Sequence, residues 1–542
     1  GGFIIAEHDV ADLVPVENAA MPDRSIIQWN KDDLESLGLL KVDVLALGML
    51  TAIRKTFDAL NQWAGRVESR LTAAGTDQPV GRPSGRHPNP PASLCRVETR
   101  PTDKAGWTLA DIPRDCPATF AMLQRGESLG VFQVESRAQM NMLPRRKPQT
   151  LYDLAIQVAI VRPGPIQGGM VHPFLKARQG REVPDLPDNP ELRAVLNRTS
   201  GVPIFQEQVM QIAVVAAGFS PGEADQVRRS MAAWKRKGGL EHFRDRLMAG
   251  MAERGYDPAF AERIYQQILG FGAYGFPESH AASFALLTWF SSWLKCHHPA
   301  AFFCGLINSL PMGFYPVSML VGEARRMGVT VLPVDVRHSD VPCVLAPDER
   351  GQPAIRLGLG LIKGLGAPAA ARVVAARRTT LTDVPTLAQR ARLDRRALEA
   401  LARADALRGL AGHRHAARWA AMERHTGQAD LFESPPPETV TPELVEPREG
   451  ADIVADYQST GLSLRRHPVA LLRTRLARAR VQPNVRLKEL PDGQRVRVAG
   501  LAMFRQRPGS AKGVMFLALE DETGVVNLII RSALIDTQRQ AV

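Results

Sequence analysis

Nowhere does this chain offer the roughly 18 consecutive apolar residues that a membrane-spanning helix requires, and no secretory leader is legible, so the sequence points to no membrane partner. Cysteine is scarce. Cys95, Cys116, Cys296, Cys304 and Cys343 form no CxxC pair and no zinc-ligand spacing, which excludes a disulfide framework and a zinc module and fits reduced thiols in a cytoplasmic setting. Acids are the minority charge: 56 Asp and Glu face 68 Lys and Arg, for a net charge of +12 and a pI near 9.7. That bias suits a polyanionic partner, with an exposed basic surface that binds nothing as the alternative. An initiating methionine is also missing, since the chain opens on Gly1.

What is present is ordinary in bulk. The hydrophobic share of 45% supports sizeable cores, and 542 residues leave room for three or more domains. The most informative stretch is Lys41-Val42-Asp43-Val44, inside the run Gly38 to Gly48. An acid and a base two apart in apolar sequence fall on the same face of a strand. A carboxylate so placed invites a metal-and-phosphate reading, against the plainer one of a strand-end salt bridge.

From Gly1 through Leu50 the sequence resembles the closing part of the palm of bacterial C-family DNA polymerases, the DNA polymerase III alpha-subunit type, and in particular their error-prone branch. The resemblance implies that Asp43 is the third of three metal-binding catalytic carboxylates, with Mg²⁺ as cofactor, and that Lys41 faces the phosphates of the incoming nucleotide. It also implies that the family's N-terminal metal-dependent domain, the first half of the palm with its paired aspartates, and the thumb are missing. Asp32, Asp33 and Glu35, in a polar stretch after Asn30 and Lys31, read as a helix start or solvated turn rather than as replacements. The expectation is that this polypeptide alone does not extend a primer.

The resemblance continues in order along the chain. Gly130-Val131-Phe132-Gln133-Val134-Glu135-Ser136-Arg137, then Val161-Arg162-Pro163-Gly164-Pro165, then Phe205-Gln206-Glu207-Gln208-Val209-Met210 succeed one another as in the family's fingers. Periodicity adds its own reading. Phe205, Val209, Ile212, Ala216 and Phe219 step by four and three, which predicts an amphipathic helix with Gly218 near its end. Ser220-Pro221-Gly222-Glu223 predicts a capping box opening a second helix that carries Arg228 and Arg229. Adjacent arginines lie about 100 degrees apart on a helix and can flank one groove. From pattern alone a solvated basic face is the favoured reading; the resemblance assigns the pair to the nucleotide triphosphate, a task that guanidinium groups suit.

Gly270 to His280 (GFGAYGFPESH) predicts a tight loop leading into a long apolar helix around Ala281 to Lys295. The resemblance places Ser279 and His280 beside the nucleotide pocket. Pro277-Glu278 stands where replicative members carry a basic residue, so a lost cation there is expected to loosen the grip on nucleotide or template.

The closing third reads as DNA-handling equipment. Leu359 to Gly366 ends in an apolar-x-Gly-apolar-Gly hairpin before an Ala-rich helix, as in helix-hairpin-helix units, so Lys363, Gly364 and Gly366 are candidate DNA-backbone contacts; a glycine-rich structural turn is the alternative. A poorer second copy runs from Leu393 to Leu410, with Ala404 where glycine is expected. Gln428, Leu431 and Phe432, ahead of Pro435-Pro436-Pro437, resemble a sliding-clamp docking peptide. From Gly493 the period turns to strand, with Val496, Val498 and Phe504 alternating with Arg495, Arg497 and Arg505. Further strands at Val514 to Leu519 and Val525 to Ile530 resemble the start of an OB-fold cut short.

The expected fold is mixed, mainly α and multidomain. It comprises 1–60 as the C-terminal part of a palm, 61–109 as a Pro/Arg-rich insertion or linker, 110–312 as large helical fingers, and 313–354 as a small α/β connecting region. A helix-hairpin-helix region follows at 355–412, then a linker with the clamp-like peptide at 413–490 and a truncated OB-fold at 491–542. The implied function is template-dependent nucleotidyl transfer from dNTPs to a primer 3′ end by an error-prone, repair or translesion polymerase. Primer-template DNA, dNTPs, a sliding clamp and accessory mutagenesis proteins are the implied partners. A non-catalytic DNA- and clamp-binding protein is the other reading.

Overall fold

The computed structural model describes residues 2–19, 25–28, 33–34, 39–43, 47–73, 106–161, 171–183, 186, 188–228, 240–271, 276–312, 315–422, 444–507 and 513–538. It is mainly helical with small sheets, in two compact units: one of residues 1–298 and 308–313, the other of 299–307 and 314–542.

In the first unit, β1 (Gly2–Ile5) pairs antiparallel with β4 (Leu40–Asp43), and β2 (Val16–Asn18) pairs with β3 (Ser25–Ile27). Val14, Leu34 and Leu39 form a small core beneath them. Helix α1 (Leu47–Ala73) is longer than the pattern from Leu50 to about Leu60 suggested and runs 13 residues into the expected insertion. Its apolar side continues through Met49, Ile53, Phe57 and Leu60. The Pro/Arg-rich stretch 78–92 lies outside the described residues.

The main core of this unit surrounds α10. Before it come α2 (Pro117–Gln124), α3 (Arg137–Arg146), α4 (Leu151–Ile160), α5 (Val171–Arg178), α6 (Pro190–Asn197), α7 (Gln206–Ala217), α8 (Leu240–Glu253) and α9 (Pro258–Phe271), and then α10 itself (Glu278–His297). Helix α10 packs on α4 and α2. Every residue of α4 from Asp153 to Ile160 is buried. On α10, Phe284, Trp289 and Trp293 are buried, with Trp289 set 4.7 Å from the Phe120 ring and its indole N–H donating to the Pro113 carbonyl. Each fully buried aromatic of this size contributes a few kcal/mol.

In the second unit, α11 (Pro299–Ile307) packs on α12 (Val317–Arg326) and on a three-stranded sheet, β5 (Val331–Leu332), β6 (Val344–Pro347) and β7 (Pro353–Arg356), in the order β5-β7-β6. Then follow α13 (Ala367–Ala376), α14 (Val384–Arg390), α15 (Arg395–Arg403), α16 (Arg408–Ala411), α17 (Arg414–Met422), α18 (Glu449–Ser459) and α19 (Pro468–Arg478). Three of these helices occupy much of the span 413–490 expected as linker. Ion pairs tie two of them together. Arg414 on α17 pairs with Asp452 and Asp456 of α18, and Arg465 reaches Asp405, Asp452 and Asp456. Such a buried cluster holds together only as a set, because losing one partner strands the other's charge.

The chain closes on an open antiparallel sheet of β8 (Leu501–Gln506), β9 (Met515–Asp521) and β10 (Gly524–Ile530), ordered β10-β9-β8, and α20 (Ser532–Thr537). The Asp521 side chain builds the tight turn by accepting from the Thr523 and Gly524 amides at 2.8 and 3.1 Å. Three strands match the number expected, but the first begins at Leu501. Val496 and Val498 precede it, around an isolated bridge between Val481 and Arg497. Gly500 approaches the Glu520 backbone too closely for any side chain, which marks where the ladder starts. No closed barrel forms among the described residues.

Candidate functional site

Strand β4 carries both Lys41 and Asp43, opposite Ile4 and Gly2 of β1. Leu40 and Val42, on the alternate positions, are exposed. The backbone therefore gives residues 41 and 43 one common face.

Helix α7 forms on the predicted stripe. Phe205, Val209, Ile212 and Ala216 are fully buried and Phe219 nearly so. Gly218 ends the helix at φ +67, a left-handed cap that glycine adopts without strain. The capping box follows as read: the Ser220 amide donates to Glu223 Oε2 at 2.7 Å, and the Glu223 amide donates to Ser220 Oγ at 3.3 Å. The Ser220 amide, with the Ser220 side chain next, holds the Glu223 carboxyl below its ordinary range. Residues 221–228 are helical. Arg228, at the end of that stretch, donates through Nε to Asp225 Oδ1 at 2.8 Å and keeps 42% of its side-chain surface in solvent. Arg229 lies outside the described residues.

Helix α10 begins three residues before the Ala281 expected from the apolar pattern, with Pro277 as its N-cap. Ser279 and His280 consequently sit in its first turn rather than in a preceding loop. Ser279 is exposed, and the His280 ring lies between Phe276 and Phe284, 4.9 and 4.2 Å away by centroid. The first turn is docked on α7: Phe205 bridges Phe276, the Gln206 amide donates to the Phe276 carbonyl at 3.2 Å, and the Glu278 amide donates to Glu207 Oε2 at 2.9 Å.

Glu278 itself was read as a lost cation. The structure gives its carboxylate definite partners: the Tyr152 hydroxyl donates to Oε1 at 2.7 Å, and Arg198 lies 3.2 Å from Oε2. Burial and that hydrogen bond push the Tyr152 phenol well above its ordinary range. Tyr152, Arg198 and Glu207 were missed by sequence reasoning. Only Glu207 stood in a quoted motif, and residues 126 and 80 positions from Glu278 leave no local signal.

In the second unit the first hairpin is built as expected. Gly364 takes φ +87, Gly366 caps α13, and neither glycine amide donates to another protein group among the described residues. Lys363 is exposed, while its amide donates to the Ser459 carbonyl at 2.8 Å. Gly364 and Gly366 border an open groove of about 480 Å³ shared with Arg372, Asp394 and Arg396. The poorer copy differs where the missing glycine predicted it would. Ala404 has ordinary backbone angles, and the left-handed residue is Asp405 at φ +58. The Asp405 and Ala406 amides bond internally to Ala402 and Leu401, so they are spent before any phosphate arrives. Gln428, Leu431 and Phe432 lie outside the described residues. Among the described residues no group of three acids, histidines or cysteines could hold a metal ion.

Three family profiles match the chain: the bacterial DNA polymerase III alpha NTPase domain over residues 1–46, the bacterial DNA polymerase III alpha subunit finger domain over 94–255, and a helix-hairpin-helix motif over 328–417. Relatives named error-prone DNA polymerase match across the whole chain. That of Alkalilimnicola ehrlichii is 55% identical, that of Methylococcus capsulatus 53% and that of Pseudomonas aeruginosa 52%. All of this chain is covered in each comparison, and 49%, 50% and 49% of the relative. The chain thus spans about half the length of these relatives.

Proposed function

The chain belongs to the C-family of bacterial DNA polymerases, the DNA polymerase III alpha-subunit type, on its error-prone branch, and from that premise we propose that it carries the nucleotide-gripping and DNA-handling portion of an error-prone, translesion-type DNA polymerase. The observation that carries this reading is identity of 55% sustained over the full chain. In the proposed reaction the primer 3′ hydroxyl attacks the α-phosphorus of a dNTP, the bond to the β-phosphate oxygen breaks, and pyrophosphate leaves. Such a reaction asks the protein mainly for position and fixed positive charge.

Residues 1–60 are proposed as the end of a palm, in which Lys41 faces the triphosphate. Arg228 and Arg229 form the rest of the phosphate clamp, and Arg228 must exchange Asp225 for a phosphate oxygen, a trade between two charge-assisted bonds. Ser279 and His280 border the same nucleotide. Asp43 is proposed as one ligand of Mg²⁺. The hairpin at Lys363, Gly364 and Gly366 grips duplex through its free amides, and the sheet at 501–530 is proposed as part of an OB-like surface for single strands. Gln428, Leu431 and Phe432 are proposed to dock on a sliding clamp, with accessory mutagenesis proteins as further partners.

The test is primer extension by the 542-residue chain beside the same chain fused to the remaining sequence of one of its relatives. The chain alone is expected to add no nucleotide and the fusion to extend. In the fusion, Arg229→Ala or Asp43→Asn should reduce turnover by roughly a hundredfold or more, the scale of removing one transition-state charge partner. Unchanged nucleotide KM and turnover in both variants would refute the assignment. A non-catalytic DNA- and clamp-binding role would leave the fusion inactive while DNA binding persists.

A further inference from the structure

We propose that Glu278 is a positioning residue: by bridging Tyr152 of α4 and Arg198 beside α6, it fixes the first turn of α10 and so places Ser279 and His280. The proposal rests on the reading of that turn as part of the nucleotide site and assigns the residue that holds it there.

Three independent contacts converge on Glu278. Its Oε1 accepts from the Tyr152 hydroxyl at 2.7 Å, its Oε2 lies 3.2 Å from Arg198, and its amide donates to Glu207 Oε2 at 2.9 Å. The carboxylate keeps only 20% of its side-chain surface exposed, so the ion pair is partly desolvated and stronger than an open surface pair. Each partner is held in turn. The Tyr152 ring sits 6.3 Å from the Phe205 ring, and Arg198 also donates to Gln211 Oε1 of α7 at 2.9 Å. Glu278 therefore joins α4, α6 and α7 to the helix whose next two residues are Ser279 and His280.

Its charge has the right sign for the place. A carboxylate in the first turn of a helix is favoured by the unpaired amides there, and a lysine is not. A lysine at 278 would add a cation but lose the Tyr152 bond, oppose Arg198 and face the positive end of α10. Glu278 accordingly supports the turn itself, in place of the loosened grip expected from a missing cation. Displacements of about 1 Å in a positioned group are enough to cost a hundredfold in rate.

The His280 ring, wedged between Phe276 and Phe284, reports its own placement through their ring currents. The experiment uses the full 542-residue chain labelled with [¹³Cε1]histidine, its His280 signal identified by His280→Gln. Glu278→Lys and Tyr152→Phe should move that signal, Glu278→Gln should move it less because the amide oxygen still accepts from Tyr152, and Thr108→Ala, a cap elsewhere in the first unit, should leave it in place. Titration with Mg²⁺-dATP should show about tenfold weaker binding for Glu278→Lys, within about threefold of the parent for Glu278→Gln, and no change for Thr108→Ala. A His280 signal unmoved in folded Glu278→Lys overturns the proposal. If that variant fails to fold, Tyr152→Phe, which removes a single hydroxyl, decides it by the same reading. A moved signal with unchanged dATP affinity overturns the link to the nucleotide. If the parent chain itself binds no dATP, the functional reading fails while the His280 signal still decides the positioning role.

Discussion

Arg146 has no exposed side-chain surface, yet its guanidinium is not isolated. It meets Asp153 Oδ1 at 3.2 Å and Gln157 Oε1 at 3.3 Å, and lies 5.4 Å from the centre of the Phe174 ring. Burial pushes Arg146 down to about 9, so it is still cationic at neutral pH. The second oxygen of Asp153 accepts from the Gln149 and Thr150 amides and from Arg178. Asp153→Ala is expected to cost about 3 to 5 kcal/mol in chemical denaturation, because it leaves a buried cation unpaired. Arg146→Met should cost less, since the shape is roughly kept and the charge is gone. A second residue-scale prediction concerns acid. His298 is packed 5.2 Å from Trp107 and 5.3 Å from Trp293, and burial, with His297 adding to it, lowers His298 from its ordinary 6.5 to about 4. Between those values the unfolded chain binds the extra proton and the folded chain does not. Stability is therefore lost as pH falls from 6.5 through 4, by on the order of 2 to 3 kcal/mol. The difference between the parent and His298→Phe melts across that window isolates the effect from the carboxylates.

At the scale of elements, α7 and its neighbour form because every local choice agrees: an apolar stripe at the helical period, a glycine where the chain must turn left-handed, and a capping box to restart it. Gly218→Ala should destabilise the first unit by about 1 kcal/mol or more, because the new methyl needs φ > 0 and collides with Arg254; thermal denaturation measures it. That agreement is why this part was legible in the sequence, as were the β9–β10 turn and the first hairpin. The start of α10 was misjudged by three residues because proline and an acid, not apolar residues, open it. The helices between 413 and 478 were read as linker because the ion pairs that tie them join residues as much as 60 apart, which no local period encodes. Of the candidate site, the residues in short motifs could be read, but their supports could not. Tyr152 and Arg198 acquire a role only when distant helices pack.

Across the whole molecule, the surplus of 12 positive charges is expected to make binding to duplex DNA insensitive to sequence and steeply sensitive to salt. Each phosphate neutralised contributes about 0.9 to the slope of log affinity against log salt. Fluorescence titrations between about 50 and 200 mM salt should show at least a tenfold loss, and Arg396→Ala at the hairpin groove should flatten the slope by about one contact. A slope near zero would remove DNA from the list of partners.

The backbone passes between the two units three times, at 298/299, 307/308 and 313/314, because α11 belongs with the second unit while residues 308–313 return to the first. Phe302, Phe303 and Ile307 of that short excursion are buried where α11 meets α12, β6 and β7. A gene divided after codon 313 would hand one product a helix it does not need and leave the other with an apolar socket open to water. A junction near 298 keeps that helix with the second unit but parts residues 308–313 from the first, so no single cut in this stretch leaves both units whole.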